Sequence, residues 1–367
     1  MYLRLALALV AAVVFADSAL AQLLTEKKFF TLPQYTTAGG KTIKNVRVGY
    51  ETYGKLNAAG NNAIFVPHFF SGNSHAAGRY KADEKAAGYW DAIIGPGKAI
   101  DTDKYFVVGV NALGSAHGSS GPNSIDPDTG KPWGPSFPEV TLRDSVRAQK
   151  HLLDDLGVKR LVAVIGPSMG GFQSFQWAVT YPDFMRGIVP SVTAPKARSG
   201  GDEVVASLQK RLAADPNWNG GWYYENGGIA KTLAELRYET LVGYGLREVL
   251  AASIPDPAAR DRAIRTQAET WATTYDGHAM VTLRKAINRF DVTGEYDKIK
   301  AKVLYVIAPN DKLFPGTMCP VYAQAMRAAG IDLTYVELVT DKGHLASNAD
   351  ALQWAPMLRA FLDTLPA

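Results

Sequence analysis

The sequence has little cysteine, little histidine and no clustered charge. Cys319 is the only cysteine, so the chain has no internal disulfide and no cysteine cluster to hold a metal. Six histidines are present, and neither a His-Glu-x-x-His nor a Cys-x-x-Cys motif occurs. His68 and His75 lie seven residues apart in one loop, and no metal site is expected. Lysine and arginine number 39 against 35 aspartates and glutamates, a net charge of +4. No long basic cluster accompanies it, which argues against nucleic-acid binding. Gly114, Gly118 and Gly121 sit in a polar loop rather than a strand–turn–helix, so no nucleotide fingerprint is present and no cofactor is expected. Long hydrophobic runs are also missing. The apolar stretch from Leu5 to Ala16 has 12 residues, well short of the roughly 20 a membrane span needs. Arg4 precedes it, and Ala19-Leu20-Ala21 closes it with a small-x-small pattern. Residues 1–21 therefore read as a signal peptide cut between Ala21 and Gln22, which implies export to a periplasm or the medium.

What remains is ordinary globular composition, with 47% hydrophobic and 20% charged residues. A chain of this size buries roughly 75% of its unfolded surface without staples. Residues 22–367 show strand and helix patterns in alternation. Strand-like runs are Phe29–Leu32, Val46–Tyr50, Ala63–Pro67 and Tyr105–Val110. Residues 114–138, rich in Gly, Pro, Ser and Asp, read as a long surface loop. Apolar residues at helical spacing follow from Thr141 to Leu156, and Gly157 ends them. Leu161–Ile165 is a continuous β-rich run, as expected of a strand covered on both faces. Helix is expected over residues 173–179, 321–329 and 351–362, and strand over 187–192, 303–307 and 333–338. Such alternation means an α/β fold with a mostly parallel sheet. Residues 195–295 break the rhythm and read as an inserted helical lid. Its aromatic cluster, Trp218, Trp222, Tyr223 and Tyr224, is expected to fill the lid's own small core.

Gly166-Pro167-Ser168-Met169-Gly170 fits the G-x-S-x-G nucleophile elbow, with a buried strand before it and a helix after it. The serine of such an elbow sits on a sharp turn, so its neighbours at ±2 must be small. Ser168 is the candidate nucleophile. In this architecture an acid and then a histidine follow the serine in the chain. Only His278 and His344 lie beyond Ser168, and His278 falls in the lid. His344 follows the strand ending near Val339, at the carboxyl end of the sheet, and is the candidate base. Asp311, in the loop after Val303–Ile307, is the candidate acid. Asp341 is too near His344 in sequence, and Asp350 is expected to face solvent. The oxyanion donors expected are the backbone N–H groups of Met169 and Phe70. His68 reads as a structural loop histidine.

Several stretches carry a resemblance. They include Ser71-Gly72-Asn73-Ser74-His75, Tyr89-Trp90-Asp91, Gly95-Pro96-Gly97-Lys98-Ala99-Ile100-Asp101-Thr102 and Val140-Thr141-Leu142-Arg143-Asp144. Ser168-Met169-Gly170-Gly171, Asp215-Pro216-Asn217-Trp218 and Asp311-Lys312-Leu313-Phe314-Pro315 continue it. With these motifs the chain resembles the homoserine O-acetyltransferase family of α/β hydrolases. The resemblance implies a triad of Ser168, Asp311 and His344 and a ping-pong transfer of an acyl group from a thioester to an amino-acid hydroxyl. It also implies a lid tunnel and frequently a homodimer. A lid arginine binds the acceptor in the family; Arg237 matches best by spacing, with Arg211 as a rival.

Two departures stand out. The family's histidine is followed by an aspartate that contacts the acceptor's amino group, whereas Leu345 follows His344 here. A leucine cannot pair with an ammonium. Export would also separate the enzyme from acetyl-CoA, an intracellular donor. The expected function is therefore serine-dependent hydrolysis of a small-molecule ester or thioester. The alternatives are O-acyl transfer to a hydroxyl acceptor and a non-catalytic binding protein of the same fold.

Overall fold

Continuous apolar runs and amphipathic helices alternate along the chain, and they assemble around one eight-stranded sheet. The computed structural model describes residues 23–198 and 200–365; the expected signal segment, residues 1–21, lies outside them. Strands β1 (Lys28–Thr36), β2 (Thr42–Tyr53) and β3 (Ala63–Pro67) come first. A short ribbon of β4 (Ile94–Gly95) and β5 (Ile100–Asp101) precedes β6 (Phe106–Val110). Then follow α1 (Leu142–Asp155), β7 (Leu161–Pro167), α2 (Met169–Thr180) and β8 (Met185–Ser191). Helices α3 (Gly201–Ala213), α4 (Ala230–Gly243), α5 (Leu246–Val249), α6 (Pro257–Ala272) and α7 (Gly277–Asn288) form the insertion. The sheet resumes with β9 (Lys302–Ile307), α8 (Cys319–Ala328) and β10 (Leu333–Glu337), and the chain ends in α9 (Ala346–Ala349) and α10 (Ala351–Asp363).

The strand order is β1-β2-β6-β3-β7-β8-β9-β10. β1 and β2 are antiparallel to their neighbours, and pairing is parallel from β6 to β10. β7 is buried along its whole length because both faces of the sheet are covered. Val164 belongs to a core shared with α1, α2 and α8. Ile165 belongs to the opposite core, with Trp90 and Trp354. The parallel strands all point their carboxyl ends at one edge, where ligands bind in such folds. No helix of the described residues is long and apolar enough to cross a membrane.

The insertion has its own core, including Leu212, Tyr223, Leu233, Leu236 and Tyr275. Tyr223 and Tyr224 both donate to Asp276 Oδ2, at 2.7 and 3.0 Å, and Asp276 in turn caps α7. Trp218 packs against that core, while Trp222 stays 44% exposed and does not join it.

The loop over residues 114–138 departs from its surface reading. Its first part is buried, including Gly114, Ser115, Ser119 and Ser120. Ser119 Oγ accepts from Gly49 N at 3.1 Å, and Ser120 N donates to Arg47 O at 2.7 Å. Small residues here serve close backbone approach: a Cβ on Gly114 would lie 2.6 Å from Thr282 Cγ2. Residues 127–131 form its longest continuous exposed stretch.

One buried carboxylate fixes the start of α1. Thr141 and Asp144 form a capping box, with Asp144 Oδ2 accepting from Thr141 N at 2.8 Å. Asp144 Oδ1 accepts from Tyr35 OH and Ala38 N, both at 2.8 Å, which ties the helix to β1. Asp144→Ala strands these buried donors and is expected to destabilise the fold by roughly 3 kcal/mol. Asp144→Asn, which keeps acceptor oxygen, should cost less. Urea unfolding of the two variants checks this; equal stability of Asp144→Ala and the parent would refute it.

Candidate active site

β7 runs straight into the turn at Ser168. Its φ is 53° and its ψ −115°, a strained conformation for a residue with a side chain. The turn closes only because Gly166 and Gly170 lack side chains. A Cβ on Gly166 would lie 2.3 Å from the Gly170 backbone, and one on Gly170 would lie 2.2 Å from Pro67 O. Ser168 N donates to Ser191 O at 2.9 Å, and Thr193 Oγ1 donates to Ser168 O at 2.8 Å. These bonds hold the strained residue in place, and α2 starts at the next residue.

His344 stands on a single 3₁₀ turn after β10. Its Nε2 lies 3.0 Å from Ser168 Oγ, and its Nδ1 lies 2.8 Å from Asp311 Oδ2. Asp311 follows β9, is 1% exposed, and accepts from Leu313 N through Oδ1 at 2.7 Å. An anionic Asp311 assigns the imidazole proton to Nδ1 and leaves Nε2 to accept the serine hydroxyl. The three residues are 33 and 176 positions apart in their pairwise bonds, yet the sheet edge brings them into one hydrogen-bonded chain. Such a chain can deprotonate the serine as it attacks a carbonyl. Tyr244 and Phe314 pack their rings 4.7 and 5.8 Å from His344. Asp341 and Asp350 are not part of the chain. Asp350 is not free in solvent as expected: its side chain is 14% exposed and holds Thr340 and Lys342.

The loop after β3 supplies Phe70. The Phe69 carbonyl accepts from His68 Nδ1 at 2.6 Å and from Gly72 N at 2.9 Å. Within the same trans peptide the Phe70 N–H points the opposite way. Neither this N–H nor that of Met169 donates to a protein acceptor among the described residues. Met169 follows Ser168 in the chain and Phe70 lines the same cavities as Ser168, which makes their N–H groups candidates for a developing oxyanion. Three groups of the helical insertion hold this loop from outside. Tyr275 OH donates to Phe70 O at 3.0 Å, Trp271 Nε1 to Ser71 O at 3.1 Å, and an Arg237 nitrogen to Ser71 Oγ at 2.7 Å.

Two cavities meet at Ser168, of about 260 and 270 Å³. Phe70, Ser71, Arg237 and Tyr244 line both. Leu345, Leu241 and Leu246 line the first, which opens beside His344. No aspartate or glutamate lines either one among the described residues. Arg237 sits 5.1 Å over the Trp271 ring, and burial lowers its pKa from the usual guanidinium value. Arg211 is elsewhere, on the surface, paired with Glu239. Of these two arginines, only Arg237 lines the site.

The family model described as the alpha/beta hydrolase fold matches residues 85–347. Homoserine O-acetyltransferase of Solidesulfovibrio magneticus is 36% identical and covers 92% of both chains. That of Symbiobacterium thermophilum is 38% identical over 89% of this chain and 91% of its own. The chain belongs to the homoserine O-acetyltransferase family of α/β hydrolases. The solved structures this chain resembles carry two kinds of name. The solved homoserine O-acetyltransferase from Bacillus anthracis superposes with a TM-score of 0.85 at 29% identity, over 94% of this chain and 99% of its own. Esterase E22 superposes equally well, with a TM-score of 0.85 at 35% identity over 92% of this chain and 100% of its own. A second structure of that esterase carries a leucine-to-aspartate substitution. The homoserine O-acetyltransferase family thus supports acyl-transfer or hydrolase chemistry for this enzyme.

His68 has the structural loop role expected of it in this family member, and the sequence left open only which groups it binds. It is fully buried, and its Nε2 accepts from Ala112 N at 3.1 Å while Nδ1 donates to Phe69 O. Its position two residues before Phe70 was the only signal. Burial holds its pKa down at about 4, and burial also holds His117 at about 4. Below pH 6.5 the unfolded chain protonates these rings, whereas the folded chain does not until about pH 4. The unfolded state then binds more protons, so stability is lost as pH falls from 6.5 towards 4 and is unaffected above 7. His68→Gln is expected to flatten part of that slope in urea titrations between pH 4 and 7. An unchanged slope would show that His68 is not held neutral.

Proposed function

We propose that the protein is an exported serine hydrolase of small esters or thioesters on the homoserine O-acetyltransferase scaffold, with Ser168, His344 and Asp311 as its triad. Ser168 Oγ attacks the substrate carbonyl while His344 Nε2 takes the hydroxyl proton. Asp311 keeps the imidazole in the required tautomer and stabilises the imidazolium. The N–H groups of Phe70 and Met169 accommodate the negative oxygen of the tetrahedral intermediate. His344 returns the proton to the departing alcohol or thiol, which leaves an acyl group on Ser168. Water, deprotonated by His344, then attacks the acyl carbon and releases the acid and the free serine.

The observation that carries hydrolysis over transfer is the lack of any carboxylate among the residues lining the two cavities. An amino-acid acceptor brings an ammonium, and a buried ammonium without a partner is costly. Leu345, beside His344, puts an apolar side chain into the first cavity. Export, read from residues 1–21, is part of the proposal because it removes the enzyme from acetyl-CoA. The likeness to an esterase at 35% identity supports the reading. Transfer to a hydroxyl acceptor is the second reading, favoured by Arg237 at the site and by the names of the relatives.

The test is one assay set on the chain from Gln22 onward: 4-nitrophenyl acetate alone, acetyl-CoA alone, and acetyl-CoA with homoserine. Ester hydrolysis is expected to exceed transfer to homoserine by more than tenfold. Leu345→Asp supplies the missing counter-charge and should raise the transfer share several-fold. Acetyl transfer outrunning ester hydrolysis in the unmodified protein would overturn the reading.

A further inference from the structure

The proposed mechanism gives no role to Arg284, one of three arginines that line the second cavity. Helix α7 carries Arg284 into the wall of the second cavity, which it shares with Ser168, Phe70 and Tyr244. The Arg284 Nε is buried and has no hydrogen-bond partner. No carboxylate lies within ion-pair distance of this guanidinium among the described residues. Its neighbours on the same helix end behave differently: Lys285 and Arg289 both pair with Glu139, each at 2.8 Å. The other two arginines of the cavity each donate to the protein through a terminal nitrogen, although the Arg237 Nε is likewise buried without a partner. Arg198 donates to the carbonyls of Lys312 and Leu313, and Arg237 donates to Ser71. Burial lowers the Arg284 pKa from the usual guanidinium value, so its surroundings do not repay the lost hydration.

An unpaired, partly desolvated guanidinium in the cavity of a nucleophile is a receptor for an anion. Its planar donors match a carboxylate in two parallel bonds, and no acid in the cavity competes for them. We propose that Arg284 binds a carboxylate of the substrate, so that the enzyme selects esters that carry one negative charge and no ammonium. This rests on the hydrolase reading and names its substrate class. The carboxylate sits on either the acyl or the alcohol part of the ester, and different substrates separate the two.

The experiment compares pairs of esters on the parent, Arg284→Gln and Arg284→Lys. 4-Nitrophenyl hydrogen glutarate against 4-nitrophenyl pentanoate reports a charge on the acyl side. 2-Acetoxypropanoate against 2-acetoxypropanamide reports a charge on the alcohol side. The parent should prefer the anion in one pair, and that ratio of kcat/KM values should fall by roughly ten to a hundredfold in Arg284→Gln. Arg284→Lys, which keeps the charge, should recover part of it. A purely structural arginine would depress both members of a pair alike. Equal kcat/KM values within both pairs for the parent, or a preference that survives Arg284→Gln, would overturn the proposal. If no ester turns over, the hydrolase reading fails, and calorimetry with glutarate decides about Arg284. Binding to the parent that Arg284→Gln abolishes supports the carboxylate site, and absence of binding overturns it.

Discussion

The site depends on one close approach: the turn after β7 lies against the end of β3, with the Gly170 Cα facing the Pro67 carbonyl. Any side chain there would overlap that oxygen, since an added Cβ would stand 2.2 Å away. Ser168, at this turn, has a positive φ, a strain of roughly 1–3 kcal/mol that the surrounding bonds must offset. In return, the hydroxyl stands clear of the sheet edge, and the loop of Phe70 comes beside it. A strand order with β3 next to β7 makes this possible, because the two strands end together.

The helical insertion does more than cover the serine. Tyr275, Trp271 and Arg237 bind the outward-facing groups of Phe70 and Ser71, while His68 binds the inward-facing carbonyl of Phe69. The loop is thereby held from both sides, and its free N–H is fixed before any substrate arrives. Such preorganisation is what makes an oxyanion site effective. Displacement of the insertion would release those bonds, so the position of the cap and that of the Phe70 N–H are coupled.

The sheet was legible because its strands are buried on both faces and read as continuous apolar runs; Ala63–Pro67 matches to the residue. The elbow was legible because steric crowding demands glycines at fixed offsets from Ser168. Asp311 and His344 could be placed because each follows a strand at the carboxyl edge. The buried part of the 114–138 loop was misread, since glycine and serine mark close backbone approach as well as exposure. The partners of Phe70 were out of reach for a different reason. Tyr275 and Trp271 lie 205 and 200 residues away in the chain, and only tertiary structure brings them to the loop. Arg284 carries no local signal either: on α7 it stands beside Lys285, which is an ordinary surface ion-pair partner.

What separates hydrolysis from transfer on this scaffold is which nucleophile the acyl-enzyme meets. With leucines and, among the described residues, no carboxylate in its lining, the cavity is proposed to offer water a place that an ammonium-bearing acceptor cannot use well. The most direct measurement is intact-protein mass spectrometry of a rapidly quenched reaction with 4-nitrophenyl acetate. The account predicts a 42-dalton (about 42 by the acetyl-for-hydrogen exchange expected of covalent catalysis) adduct on Ser168, absent in His344→Ala, whose decay is not accelerated by homoserine. An adduct on another residue, or decay that homoserine speeds severalfold with O-acetylhomoserine as product, would contradict it.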